Sequence, residues 1–219
     1  MLTIPVILSL LLAYLMGSIP TAVWVGRIFY DIDVREYGSG NAGATNTFRV
    51  LGKKAGIPVL LIDCLKGYAA VKLVTLFADE PISTAAFVNY QLALGIAAVI
   101  GHIFPILAGF RGGKGIATLL GLMLAIHLQG ALLSLSIFLI VFALTRFVSL
   151  GSMAAALSFP FVIVLVFKTT VLSLIVFSMF IAILVLITHQ KNIERLMRRE
   201  ESKANFSLRK LIRQAGEDD

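Results

Sequence analysis

The chain has 219 residues, 58% of them apolar and only 14% charged, against roughly 45–50% and 25% in a soluble domain. A water-soluble globule is excluded, and about seven crossings of ~20 residues would leave too little chain for a separate soluble domain. The net charge of +7 raises the question of nucleic acid, but the cations lie between apolar runs, where membrane topology accounts for them. A single cysteine, Cys64, excludes a disulfide framework and any multi-cysteine metal centre.

The first apolar run, 2–26, meets its first cation only at Arg27. A secretory signal peptide has the reverse order, so this run reads as a retained helix. Further apolar runs follow at 56–78, 87–108, 116–128, 130–145, 153–167 and 171–188, with splits at His127–Gly130 and Lys168–Thr170. With the amino terminus outside, sixteen of the nineteen cations fall in inside segments: loops 27–55, 109–115 and 146–152 and the tail 189–219. Lys168 alone falls outside, with Asp79 and Glu80, while Lys66 and Lys72 lie in the second helix. That asymmetry is positive-inside loading. The expectation is an all-α, polytopic integral membrane protein: one transmembrane domain over 1–219, seven transmembrane helices, amino terminus outside and carboxyl terminus cytoplasmic. The fourth helix would be only about 20 Å long and needs shelter from its neighbours. In the tail, Leu196, Met197, Phe206, Leu208, Leu211 and Ile212 interleave with basic residues. This suits either an amphipathic helix on the inner leaflet or a solvated charged tail.

Polar residues that topology does not require collect on the inside. Loop 27–55 holds Gly38, Ser39, Gly40, Asn41, Thr45, Asn46 and Arg49. Its glycines permit turns whose backbone amides converge on an anion, with Ser39, Thr45 and Asn46 adding donors and Arg49 the charge a phosphate requires. A flexible turn is the plainer alternative, but the loop is long, cationic and adjacent to a second one. That second loop, Ala108 to Gly115, presents Gly112, Gly113 and Lys114 where a helix begins, a place favourable to an anion. It is not a P-loop: Ala108 replaces the leading glycine, and Gly115 stands where a magnesium-binding hydroxyl belongs. Three glycines around one lysine suggest close approach of a ligand.

Ser149 and Ser152 open the sixth helix on the same side, and His189 and Asn192, three apart, share a helical face at the end of the seventh. His189 followed by Glu194 is a poor match to a His-x4-Asp acyltransferase dyad. Within the membrane, Asp63 and Lys66 are i,i+3 neighbours, each costing ~2.5–3.5 kcal/mol alone at mid-bilayer. They read as a pair that braces the loops, with a proton relay as the alternative.

At these residues the chain resembles the small bacterial glycerol-3-phosphate acyltransferases that use acyl phosphate as donor. The resemblance rests on Gly17-Ser-Ile-Pro20-Thr-Ala22, Gly38 to Asn46 with Arg49 and Leu51-Gly52, and Asp63-Cys-Leu-Lys66-Gly67. It continues through Gly101-His102-Ile-Phe-Pro105 to Gly115, Ser149 to Ser152, and His189-x-x-Asn192-Ile-x-Arg195-Leu196. It implies seven helices in the orientation derived from charge, a bacterial cell membrane with the site on the cytoplasmic side, and no cofactor or metal. It implies catalytic roles for Ser39, Arg49, Lys114 and His189, and substrate binding by Gly40, Asn41, Thr45, Asn46, Gly112, Gly113, Ser152 and Asn192. One departure is Arg199, where many members have glycine before the final Glu201.

The implied reaction moves a fatty acyl group from acyl phosphate to the 1-hydroxyl of glycerol 3-phosphate. The products are 1-acyl-glycerol 3-phosphate (lysophosphatidic acid) and phosphate, the first acylation of phospholipid synthesis. Acyl phosphate carries a good leaving group, so neither a covalent intermediate nor a metal is obligatory. The acceptor's own phosphate, with a second pKa near ~6, is the expected proton acceptor, with His189 orienting. An organophosphate transporter is the alternative from another class, although no repeat is visible and the polar groups crowd one face. A membrane scaffold would leave the cationic loops without a purpose. A CDP-alcohol transferase is excluded because the isolated Asp31 and Asp33 supply no metal cluster.

Overall fold

The structure, a computed structural model, describes residues 3–78 and 84–204. Asp79, Glu80 and the tail residues Phe206 to Ile212 of the expectation lie outside the described residues. In chain order the helices are α1 (Ile4–Gly17), α2 (Thr21–Tyr30), α3 (Ala44–Leu51), α4 (Lys53–Lys72), α5 (Val74–Phe77) and α6 (Ala85–Ile103). They are followed by α7 (Ile116–Ile126), α8 (Leu128–Thr145), α9 (Val148–Phe161), α10 (Leu172–Thr188) and α11 (Gln190–Met197). No strand occurs among the described residues.

Among the described residues, three segments are individually long and apolar enough to cross a bilayer: Ala85–Ala108, Leu128–Thr145 and α9 carried through a π-helical turn to Val166. The bent pairs α1–α2 and α10–α11 bring the number to five if each is one span. α4 falls short because Asp63, Lys66 and its terminal lysines interrupt the apolar run, and α7 because it has only 11 residues. The outer faces are apolar: Leu139, Ile140 and Leu144 on α8 and Ile183 and Ile187 on α10 are all exposed. Hydrocarbon, not water, is the solvent for such a surface.

The sequence-derived boundaries need three corrections. The first run is not one helix: it breaks at Ser18–Pro20 and bends by 41°. Proline lacks the N–H that a continuous helix needs there, and the freed groups find partners on α4. The loop 27–55 is largely helical, because α3 folds back onto α4. Gly52, at φ +78°, makes the turn, and the Phe48 ring lies where a Cβ on Gly56 would be. The segment 146–152 is mostly the first turns of α9, which begins at Val148.

The short α7 is sheltered as expected. It packs along α4 through glycines, since a Cβ on Gly67 would run into the Thr118 carbonyl oxygen and one on Gly121 into that of Cys64. Small residues that let backbones touch are the usual means of packing helices in lipid. The main core lies among α6, α7, α9 and α10, around Leu122, Phe159, Ile163, Phe177 and Val185. A smaller cluster of Ala22, Val34 and Val59 supports the first polar loop.

Candidate active site

The polar segments meet at one end of the bundle through side-chain bonds. Asp33 caps a 3₁₀ turn at Val34–Glu36 by accepting from the Arg35 N–H at 3.0 Å. It also pairs with the Arg35 guanidinium at 2.7 Å and with Arg27 at 2.9 Å. The Arg35 guanidinium holds the Asp33 carboxyl well below the usual carboxylate range, outweighing burial. Arg35 then reaches the second loop, donating to the Ala108 carbonyl oxygen at 2.8 Å and to that of Arg111 at 3.4 Å. One ion pair therefore ties the two polar loops together.

Asn46 organises the first loop from α3. It is 1% exposed, and both amide protons are engaged, by the carbonyl oxygens of Val34 at 2.7 Å and Tyr37 at 3.1 Å. Its Oδ1 accepts from Ser39 N–H at 2.8 Å and Ser39 Oγ at 3.1 Å. Asn46 therefore has no donor left for a ligand, contrary to the substrate-binding expectation. Its geometry is that of a clamp on the left-handed turn of Gly38 and Gly40. Ser39, Gly40 and Thr45 are exposed and Asn41 is half-buried. Arg49, in the last turn of α3, is exposed and has no ion-pair partner among the described residues.

The second loop departs further from expectation. The Gly113 N–H donates to the His102 carbonyl oxygen at 3.2 Å and Gly112 N–H to that of Ile103 at 3.1 Å. A Cβ on Gly112 would meet the His102 carbonyl, and one on Gly113 the His102 ring. These glycines are required by the close approach of His102, and their amides are not available to an anion. The Ser39 and Gly40 amides are likewise engaged internally, by Asn46 and by the Tyr37 carbonyl oxygen. The groups left to receive an anion are the cationic side chains and the first N–H groups of α7, which follow Gly115 and lack intrahelical partners.

Lys114, immediately before α7, donates to Asn192 Oδ1 on α11. Asn192 Nδ2 donates to Glu201 Oε1 at 2.7 Å, and the same oxygen accepts from Ser149 Oγ at 2.8 Å. Glu201 Oε2 accepts from Arg195 Nε at 2.8 Å. Burial alone would raise the Glu201 carboxyl, but the bonds from Arg195, Asn192 and Ser149 hold it below its usual range. Burial, against the opposing pull of Glu201 and with Arg195 and Arg49 adding to it, lowers the Lys114 ammonium to about 8. Arg49 and Lys114 thus act on each other electrostatically across the site.

His189 is buried at the turn between α10 and α11. Its Nδ1 lies 2.8 Å from the Val185 carbonyl oxygen, which only accepts, so Nδ1 carries the proton and leaves Nε2 as the acceptor of a neutral ring. Ser152 is buried one turn beyond Ser149 and donates to the Val148 carbonyl oxygen at 2.9 Å. The chain turns back after α11 through Arg199, at φ +59°, which brings Glu201 beneath Asn192 and lets the Ala204 N–H reach the Arg146 carbonyl oxygen at 2.9 Å. Asp33, Arg35 and Glu201 were not among the expected site residues. Asp33-x-Arg35 carries no motif, and Glu201 acts only through this fold-back.

The fold is that of a membrane protein: apolar helices gather a half-buried lysine, nearby arginines and a free helix amino terminus at one end. The glycerol-3-phosphate acyltransferase family profile matches residues 7–199, and the chain belongs to that family. It is similar to a glycerol-3-phosphate acyltransferase of Enterococcus faecalis, 42% identical over 93% of this chain and 94% of the relative. A glycerol-3-phosphate acyltransferase of Chlorobaculum parvum is 40% identical over 90% and 95%. Among solved structures, PlsY (YgiH), an integral membrane glycerol 3-phosphate acyltransferase, in its glycerol 3-phosphate form superposes with a TM-score of 0.80 at 33% identity, covering 91% of this chain and 96% of that one. Its lysophosphatidic acid form gives a TM-score of 0.75.

Proposed function

We propose that the protein transfers a fatty acyl group from acyl phosphate to the 1-hydroxyl of glycerol 3-phosphate, releasing phosphate and 1-acyl-glycerol 3-phosphate. The observation that carries this reading is Lys114: a half-buried cation beside a free helix amino terminus, with Arg49 near it, where apolar helices end. Such a point suits a donor whose chain lies in hydrocarbon and whose phosphate lies in the polar layer. The two forms of PlsY, with glycerol 3-phosphate and with lysophosphatidic acid, agree with an acceptor and a product of this kind.

In this reading Lys114 and Arg49 bind the two phosphates and stabilise the charge that develops as the acyl–oxygen bond breaks. Ser39, Gly40, Asn41, Thr45, Gly112, Gly113, Ser152 and Asn192 line the site, and Asn46 holds its first loop. The acceptor's phosphate dianion removes the proton of the 1-hydroxyl, and His189 orients the acceptor, its Nε2 accepting from the neighbouring 2-hydroxyl. Seven crossings, by α1, α4, α6, α7, α8, α9 and α10, place the amino terminus outside and the site on the cytoplasmic side of a bacterial plasma membrane, in keeping with the inside cations.

The donor is tested with purified protein and glycerol 3-phosphate, offered acyl phosphate, acyl-CoA or acyl-carrier protein in parallel. Product from acyl phosphate alone is expected; product only from acyl-CoA overturns the assignment.

A further inference from the structure

Three helices and the α1–α2 break converge on a buried polar cluster that acyl transfer does not use. On α4, Asp63 Oδ1 and Lys66 Nζ are 2.8 Å apart, with side chains 2% and 5% exposed. Lys66 Nζ also donates to the Ile19 carbonyl oxygen at 2.8 Å, and Thr21 Oγ1 donates to Asp63 Oδ1 at 3.0 Å. Ile19 lies in the break and Thr21 opens α2, so the pair fixes both sides of the bend. From α6, His102 brings Nδ1 to 3.7 Å from the same Asp63 oxygen, and that nitrogen is buried without a hydrogen-bond partner among the described residues.

The opposite side of His102 carries the second loop. Its carbonyl oxygen receives the Gly113 N–H, and its Nε2 occupies the space where a side chain on Gly113 would begin. The next residue is Lys114. A buried ion pair adds little net stability, because desolvation offsets the attraction. A pair fixed on three segments does supply a rigid seat. We propose that the Asp63–Lys66 pair, acting through His102, is a positioning device that sets the depth and direction of Lys114. The inference rests on the role given to Lys114 in holding phosphate.

The test reads Lys114 without turnover. Purified full-length protein is labelled with acetic anhydride across a pH series without substrate, and modification of Lys114 is quantified by mass spectrometry. Two variants are compared with the unmodified protein: Asp63→Asn/Lys66→Gln, which removes both charges together, and His102→Asn, which leaves the pair intact. A loosened loop lets water reach the ammonium, so the labelling midpoint in both variants is expected to rise from about 8 by ~1 unit or more, a ~10-fold change in the proton equilibrium. Glu201, Arg195 and Arg49, the other charges around Lys114, are unchanged in both. If the doubly neutral variant does not accumulate, His102→Asn carries the same test. An unmoved midpoint in folded protein overturns the proposal.

The Gly113→Ala change supplies a second arm. Alone it forces a methyl against the His102 ring and is expected to lower kcat/KM for glycerol 3-phosphate at least ~10-fold; in the His102→Asn background it should cost no more than ~2-fold. Equal losses in both backgrounds overturn the coupling. A shifted midpoint with an unchanged KM for glycerol 3-phosphate would count against the phosphate site and leave the positioning device standing.

Discussion

Lys114 Nζ donates to Asn192 Oδ1 across 78 positions of sequence, joining the loop before α7 to the helix after α10. Asn192 passes the contact on to Glu201, so the ammonium is held in place before any substrate arrives. A preset cation stabilises developing charge without reorganising at the moment of reaction. A charge-assisted contact contributes about 1.5–3 kcal/mol, so Lys114→Ala should lower turnover at least ~10-fold. Steady-state kinetics on purified protein with acyl phosphate checks this, and near-normal activity would mean that the phosphates bind elsewhere.

The pH dependence follows from the same residue. Burial first, then Arg195 and Arg49, bring the Lys114 ammonium down to about 8. Below that pH the group is charged and attracts a phosphate dianion; above it the Lys114 amine of the free enzyme is neutral and its share of that attraction is lost. The kcat/KM for glycerol 3-phosphate should therefore fall as pH rises through about 8. A bound dianion favours the ammonium, so the alkaline limb of kcat should lie higher. Coincident limbs would show that substrate phosphate does not meet Lys114.

The helices were legible in the sequence because long apolar runs broken by cations and glycines are local signals. The split between α7 and α8 is local too: the His127 ring accepts the Gly130 N–H at 3.0 Å and starts the next helix. The break at Ser18–Pro20 was not legible, since the groups that hold it from α4 are distant in sequence: Lys66 donates to the Ile19 carbonyl oxygen and Asp63 accepts from the Thr21 hydroxyl just beyond it. Gly112 and Gly113 pointed to a ligand, but their neighbour is His102, as close in sequence as ten residues yet invisible until the chain reverses. Lys114, Arg49 and His189 stood out as candidates by residue type, a local property of the sequence. The clamping roles of Arg35, Asn46 and Glu201 depend on loops that meet only in the fold.

Glu201 gathers Ser149, Asn192 and Arg195 on one carboxylate. Its folded pKa is held below the ordinary value, so its contribution is complete above the unfolded carboxylate pKa and is lost as pH falls through the lower folded one. Glu201→Gln removes the charge and turns one acceptor oxygen into a donor facing Arg195 or Asn192. A loss of about 1–3 kcal/mol is expected at neutral pH, read as a lower melting temperature. The difference from the unmodified protein should shrink in acid, and a constant difference would assign the effect to shape alone.

His189→Gln separates the two proton acceptors. If the acceptor's phosphate is the base, the acidic limb of the rate profile belongs to the substrate, near ~6, and survives the change with a reduced rate. If Nε2 of His189 is the base, the limb disappears with the imidazole. The profile is measured for kcat/KM on purified protein, with acyl phosphate stability followed in parallel.

Arg199 holds φ at +59° at the turn that returns Glu201 to the site, the position where the family resemblance implies glycine. A side chain in that left-handed region costs about 1–2 kcal/mol, while glycine gives back roughly 0.5–1 kcal/mol through the freedom of the unfolded chain. The net favours glycine, so Arg199→Gly should raise the melting temperature slightly and leave kcat and KM unchanged, because among the described residues no bond from the Arg199 side chain supports the site. A lower melting temperature, or a loss of activity comparable to that of Glu201→Gln, would show that the arginine side chain holds the turn.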